Sequence, residues 1–154
     1  MNKWLRAVCV GAAAAAMLTA SAFAANYTNC ADSLHEMGLF QGTQNGYDLD
    51  RTPTRAEAAV MLVRLLGKEA EAKTLTYTAP FTDLKGWEKP YVQYLYSNGL
   101  ANGTSRTTFN PTGKCTAQMY ATFLLRALGY SDTADFSYEN AIETAREQGI
   151  YDTG

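Results

Sequence analysis

The side chains able to do chemistry are few. After residue 24, this chain of 154 residues holds two cysteines, Cys30 and Cys115, and one histidine, His35. Cys30 and His35 are the one thiol–imidazole pair close in sequence. Five residues on a helix turn through about 140°, so the two point apart and a cysteine hydrolase is not expected. Two cysteines and one histidine also fall short of a His/Cys metal cluster or a nucleophile–histidine–acid triad. Asp48 and Asp50, in Tyr47-Asp48-Leu49-Asp50, are two carboxylates in a loop. A calcium site needs about six oxygens and a closing acid, so they read as solvated turn residues. Glu139, Glu143 and Glu147 recur every fourth residue with Arg146 alongside, which is a solvated helix face. No catalytic residue, metal site or cofactor is expected, and the chain is not read as an enzyme.

Arg55 is the residue whose placement asks for a reason. Thr54 and Glu57 form a T-x-x-E capping box, the signature of a helix start, worth about 1 kcal/mol. Arg55 then sits in the first turn, at the positive end of the helix dipole. A cation there is disfavoured by a few tenths of a kcal/mol. An acid would suit the helix better, so something outside the helix is expected to hold the arginine: a neighbouring acid or an anionic ligand.

The elements that carry these residues repeat. Gly38-Leu39-Phe40-Gln41-Gly42-Thr43 parallels Gly99-Leu100-Ala101-Asn102-Gly103-Thr104. An aromatic follows in each copy, Tyr47 and Phe109, and seven residues later comes a threonine, Thr54 and Thr116. Each threonine opens a helical segment ending in Leu-Gly, at Gly67 and Gly129. The offset is 61 residues at the glycines and 62 at the threonines, so one residue is inserted between. Each copy reads as helix, glycine loop, helix.

In copy two the first helix is expected over about Trp87–Asn98. Pro90 falls in its first turn, and Trp87, Tyr91 and Leu95 lie four apart on one apolar face. Gly99 suits a left-handed C-cap on which Leu100 packs back. Ala31, Leu34 and Met37 should do the same before Gly38. The helix from Thr54 carries Ala59, Val60, Leu62, Val63 and Leu66, a stripe too broad for a surface helix. Lys68 to Thr78 reads as a connector. Thr116 has Met119 at the box position, a weaker cap. A third copy begins near Phe136, with Ser137 as a cap before Tyr138, Ala141, Ile142 and Ala145, and reaches Gly149-Ile150. It is half a unit, so apolar surface from Tyr138, Ile142 and Ile150 is expected to be exposed and to favour self-association.

The N-terminus has the order of an export signal. Lys3 and Arg6 precede an Ala-rich apolar core over residues 7–20, and Ala22-Phe23-Ala24 fits a cleavage site. The mature chain should begin near Ala25, outside the cytoplasm. Losing two cations moves the formal charge from −2 to −4. That acidic balance lacks the surplus of a nucleic-acid binder. Export permits a Cys30–Cys115 disulfide, but a single bridge is no dense framework. Two small buried side chains are the preferred reading.

Phe81-Thr82-Asp83-Leu84, Trp87, Gly99-Leu100, Gly103 and Phe109-Asn110-Pro111 resemble an S-layer homology (SLH) repeat, and Thr54-Arg55-Ala56-Glu57 matches that family's best-known motif. The resemblance covers about residues 27–154. It implies a mainly α fold of helix–loop–helix repeats in a pseudo-threefold arrangement, with the third repeat incomplete. The divisions are a signal peptide (1–24), repeat 1 (25–78), repeat 2 (79–132) and partial repeat 3 (133–154). Copy two departs from the motif with Thr116-Ala117-Gln118-Met119, and copy one lacks the Phe-x-Asp and Trp opening.

The resemblance further implies an exported module at the cell wall or cell surface. It would bind envelope polysaccharide, a secondary polymer or a peptidoglycan-linked glycan, in grooves between repeats. Alternatives are the targeting part of a longer secreted enzyme or surface protein, and a scaffold that has lost polymer binding. The ligand-binding residues it points to are Arg55, Asp83, Trp87, Gly42 and Gly103. Arg55 would fork onto an anionic substituent. Trp87 would stack on sugar, although a Trp at a helix start is more often a core anchor. Asp83 would cap the helix or bind hydroxyls. Gly42 and Gly103 would serve backbone conformation or expose amides. Tyr91, Tyr94 and Tyr96 read mostly as packing.

Overall fold

The computed structural model describes residues 27–151, so the expected export signal lies outside the described residues. Among the described residues the regular structure is helical, with no extended strand and two isolated bridges, Thr43–Gly46 and Thr54–Lys114. The expected mainly α class holds. The helices are α1 (Thr28–Glu36), α2 (Arg55–Leu65), α3 (Glu69–Thr74), α4 (Lys89–Ser97), α5 (Ala117–Ala127) and α6 (Ala141–Glu147), with a 3-10 turn at Tyr138–Asn140 before the last. The chain divides into two compact units. One is Pro53–Cys115; the other joins the residues up to Thr52 with those from Thr116 onward.

In the Pro53–Cys115 unit, α2 packs on α4, and the short α3 closes against both. The broad stripe of α2 is buried almost all round: Ala58, Ala59, Leu62 and Val63 are fully enclosed. Val92 and Leu95 of α4, Ala72 of α3 and Phe109 complete this core. The expected connector after Gly67 therefore contains a helix. Its charged sequence lacks an apolar period, and polar bonds hold it instead. Tyr91 Oη donates to Glu69 at 2.7 Å, Lys73 Nζ lies 2.9 Å and Arg64 Nε 3.2 Å from the same carboxylate. The tyrosine hydroxyl first, then the two cations, hold the Glu69 carboxyl down to about 2 from an ordinary 4.5. A depressed acid stabilises the fold above its unfolded value and loses that contribution as pH falls through the folded one. Chemical denaturation of the native chain and a Glu69→Gln variant should therefore differ above about pH 4.5 and converge as pH drops toward about 2.

In the other unit, Ala31 and Leu34 are buried as expected, but Met37 is 49% exposed because it lies just past the end of α1. Helix α5 packs on α6 and on the 3-10 turn. Tyr120, Phe123, Leu124, Leu125, Ala141 and Ala145 are buried there. Thr116 Oγ accepts from the Met119 amide, half a capping box. Asn140 Oδ1 accepts from the Ser137 amide at 2.7 Å. Of the apolar surface expected at copy three, Tyr138 is 47% exposed but Ile150 is buried. Ile150 turns back after Gly149, its amide donating to Ala145 O at 2.8 Å, which brings its side chain into the core. Cys30 is half-buried and Cys115 buried, and burial pushes the Cys115 thiol up to about 12.

Candidate functional site

The site is built around one aromatic residue in the glycine loop of copy two. Helix α4 ends at Ser97 with Asn98 as its C-cap, and Gly99 takes φ 69°, the left-handed conformation expected of it. The Leu100 amide returns to Leu95 O at 2.8 Å. The loop then makes a tight Thr104–Thr108 turn and delivers Phe109, fully buried, followed by Asn110 at φ 60°.

Arg55 reaches this loop from the first turn of α2. It is only 4% exposed. Its Nε donates to Phe109 O at 2.8 Å, its Nη2 to Asn102 O at 3.1 Å, and its guanidinium lies 4.5 Å from the centre of the Phe109 ring. The backbone follows: Arg55 N donates to Gly113 O at 2.8 Å and Ala56 N to Pro111 O at 3.0 Å. Thr54 and Glu57 form the full capping box alongside, with the Thr54 amide donating to Glu57 at 2.7 Å. Two backbone carbonyls, a π face and the nearby charge of Asp83 together outweigh the unfavourable helix end.

Asp83 grips the same residue through its amide. Its carboxylate accepts from the Phe109 amide at 2.9 Å and from the Asn110 amide at 2.7 Å. It does not cap α4, whose start carries no side-chain cap. Burial would push the Asp83 carboxyl up. The amides of Phe109 and Asn110 and the charge of Arg55 outweigh that and hold it below the usual carboxylate range. Phe109 is therefore held by its N–H, its C=O and its ring at once.

Gly103 completes the grip by absence. A Cβ there would lie 2.4 Å from Phe81 Cε1 and 2.5 Å from the carbonyls of Ser105 and Thr108. Space, not conformation, demands the glycine. At Gly42, its counterpart in copy one, both apply: it adopts φ 70°, and a Cβ would lie 2.8 Å from Gly46 O. Gly42 belongs to the other compact unit, so the structure gathers Arg55, Asp83 and Gly103 but not Gly42.

Trp87 corrects the core reading: it is 60% exposed. Helix α4 begins only at Lys89, so Trp87 precedes the periodic face that buries Tyr91 and Leu95. It is presented by a fixed turn. Glu88, 8% exposed, accepts from the amides of Lys85 at 2.9 Å and Gly86 at 3.0 Å. Lys85 and Lys89 flank it, both exposed. Burial would push Glu88 up, and these amides with its own outweigh it, holding the carboxyl low. Glu88 and Phe109 are the two residues of the site whose roles the sequence did not reveal.

Comparison with protein families places a match on this element. The S-layer homology domain model matches residues 80–116. The chain carries an S-layer homology domain. The match spans Asp83, Trp87, Glu88, Gly103 and Phe109. Beyond this domain the chain is similar to a middle cell wall protein of Brevibacillus brevis, 32% identical over 140 residues, covering 88% of this chain and 13% of that protein. It is similar to a surface layer protein of Brevibacillus choshinensis, 30% identical over 112 residues, 71% of this chain and 10% of the relative. An endoglucanase of Bacillus sp. strain KSM-635 is 35% identical over 82 residues, 46% of this chain and 9% of the relative. The chain thus spans about a tenth of the length of these relatives. No solved structure matches it significantly.

Proposed function

We propose that this chain is a non-catalytic anchoring module of the cell surface that binds envelope polysaccharide non-covalently. The S-layer homology domain and its cell-wall and surface-layer relatives support the anchoring role. The observation that supports a glycan ligand is Trp87, a large aromatic left 60% exposed on a turn that Glu88 fixes. An indole face is a flat apolar surface suited to the C–H face of a sugar ring, and the rigid turn lowers the entropy of ordering it. Lys85 and Lys89 would meet anionic substituents. The chain's acidic balance supplies no general attraction, and screening acts over about 8 Å, so binding would be local. Arg55 and Asp83 serve as positioning residues that hold the loop, rather than as ligand contacts.

Sedimentation with purified cell walls, before and after removal of non-peptidoglycan polymer, tests this. Trp87→Ala should lower wall affinity roughly tenfold, from lost stacking of about 1.4 kcal/mol, with its melting temperature unchanged. Equal binding by the native chain and the variant would sink the assignment of Trp87. Binding that survives polymer removal would move the ligand to peptidoglycan.

A second reading is that the module targets a longer secreted protein to the surface. The similarity to an endoglucanase over 9% of that protein favours it.

A further inference from the structure

Asparagine followed by glycine is a pair that modifies itself. The glycine nitrogen attacks the side-chain amide carbon, ammonia leaves, and a cyclic imide forms. Water then opens the imide at either carbonyl, to aspartate or to isoaspartate. The reaction is intramolecular and gains from proximity. It is one reason that asparagine counts as a thermolabile residue. It needs a free side chain and a glycine amide able to give up its proton.

The chain has three such steps, Asn45-Gly46, Asn98-Gly99 and Asn102-Gly103. The fold treats them differently. Asn98 is locked at the end of α4: its Nδ2 donates to Tyr94 O at 2.9 Å, and the Gly99 amide donates to Tyr96 O at 3.0 Å. The Gly46 amide is committed to Thr43 O at 3.1 Å. Asn102 is exposed, and among the described residues no hydrogen bond holds its side chain or the Gly103 amide. Gly103 has no side chain to shield its nitrogen, and the crowding against Phe81 excludes one.

Arg55 adds the chemical bias. When the Gly103 nitrogen loses its proton, the charge spreads over the peptide group and rests largely on Asn102 O. That oxygen already accepts from Arg55 Nη2 at 3.1 Å. A cationic donor placed where negative charge develops stabilises it, and most strongly where water is excluded. Arg55 is buried.

We propose that Asn102-Gly103 is a self-modification site, where the peptide group polarised by Arg55 converts Asn102 to aspartate and isoaspartate. Hydroxide takes the Gly103 proton, the nitrogen bonds to Asn102 Cγ, and the side-chain amide departs as ammonia. Water then adds to the imide, so the net exchange is water for ammonia. The aspartate product leaves the main chain as it was and adds a carboxylate at residue 102. The isoaspartate product runs the main chain through the former side chain, one methylene longer, and takes the carbonyl off Arg55. The loop thus carries a clock that ends in loss of part of the arginine's seat. The site differs from the Trp87 site and does not depend on glycan binding.

The test incubates the purified protein at mildly alkaline pH, folded and in denaturant, and follows all three asparagines by peptide mapping with mass spectrometry. In denaturant the three are plain Asn-Gly steps and should convert at similar rates. In the folded protein Asn98 should be protected, and Asn102 should outpace Asn45 several-fold. An Asn102 that converts no faster than Asn45 in the folded protein overturns the proposal. The isoaspartate fraction, separated by chromatography, should melt earlier than the aspartate fraction. Equal melting of the two would overturn the loss of the seat.

Discussion

Arg55→Ala should destabilise the Pro53–Cys115 unit by about 3 kcal/mol, about three times the capping box beside it. Arg55 is 4% exposed, and its guanidinium makes hydrogen bonds to the carbonyls of Phe109 and Asn102. A hydrogen bond to a charged group is worth about 1.5–3 kcal/mol, and its loss leaves the buried Phe109 carbonyl unsatisfied. The cavity over the Phe109 ring adds to this. Arg55→Lys keeps the charge but not the fork, so it should recover part of the loss and no more. In a unit this small the alanine variant should melt more than about 10 °C early. Wall binding should fall only as the folded fraction falls. A variant with native melting and lost binding would return Arg55 to the ligand.

Gly103→Ala should cost about as much, near 3 kcal/mol, at the upper end of overpacking. The added methyl would meet Phe81 Cε1 at 2.4 Å and two backbone carbonyls at 2.5 Å. Phe81 is itself pinned, edge-on to Tyr96 at 4.9 Å and 5.7 Å from Phe109. The Thr108 carbonyl accepts from the Thr104 and Ser105 amides and does not swing away without breaking that turn. The entropy gained by replacing glycine, about 0.4–1 kcal/mol, is too small to offset this. Denaturant unfolding of the variant measures it directly. A Gly103→Ala protein as stable as the native one would show that the turn yields without cost.

Local signals in the sequence were legible and long-range ones were not. The Thr54–Glu57 box and the Gly99–Leu100 cap involve residues within five positions, and both form as the sequence suggests. The helix-end conflict at Arg55 correctly demanded an outside partner. Its partners include two carbonyls, 47 and 54 residues away, that carry no side-chain signature. Asp83 looked like a cap for the same reason: its amide partners lie 26 and 27 residues on. Trp87 was misplaced because a four-residue period was extended two positions beyond the start of α4. Helix α3 was missed because ion pairs and a tyrosine hydroxyl hold it rather than an apolar stripe. Glu88 resembles any surface acid until its clasp on Lys85 and Gly86 is seen.

The two ends of the Pro53–Cys115 unit lie side by side. Cys115 N donates to Pro53 O at 2.8 Å, and Thr54 pairs with Lys114. A segment whose ends meet can be spliced into a host loop without stretching either. In genetic terms the transferable cassette is therefore out of phase with the visible repeat. A crossover near residues 53 and 115 carries the arginine together with its loop. A crossover at the sequence period, near residue 78, parts them and asks Arg55 to seat itself in a stranger's loop. Recombination among such genes should leave its scars at the first kind of position, and hybrid proteins joined at the second should fold poorly unless the incoming loop also presents an aromatic ring to the guanidinium.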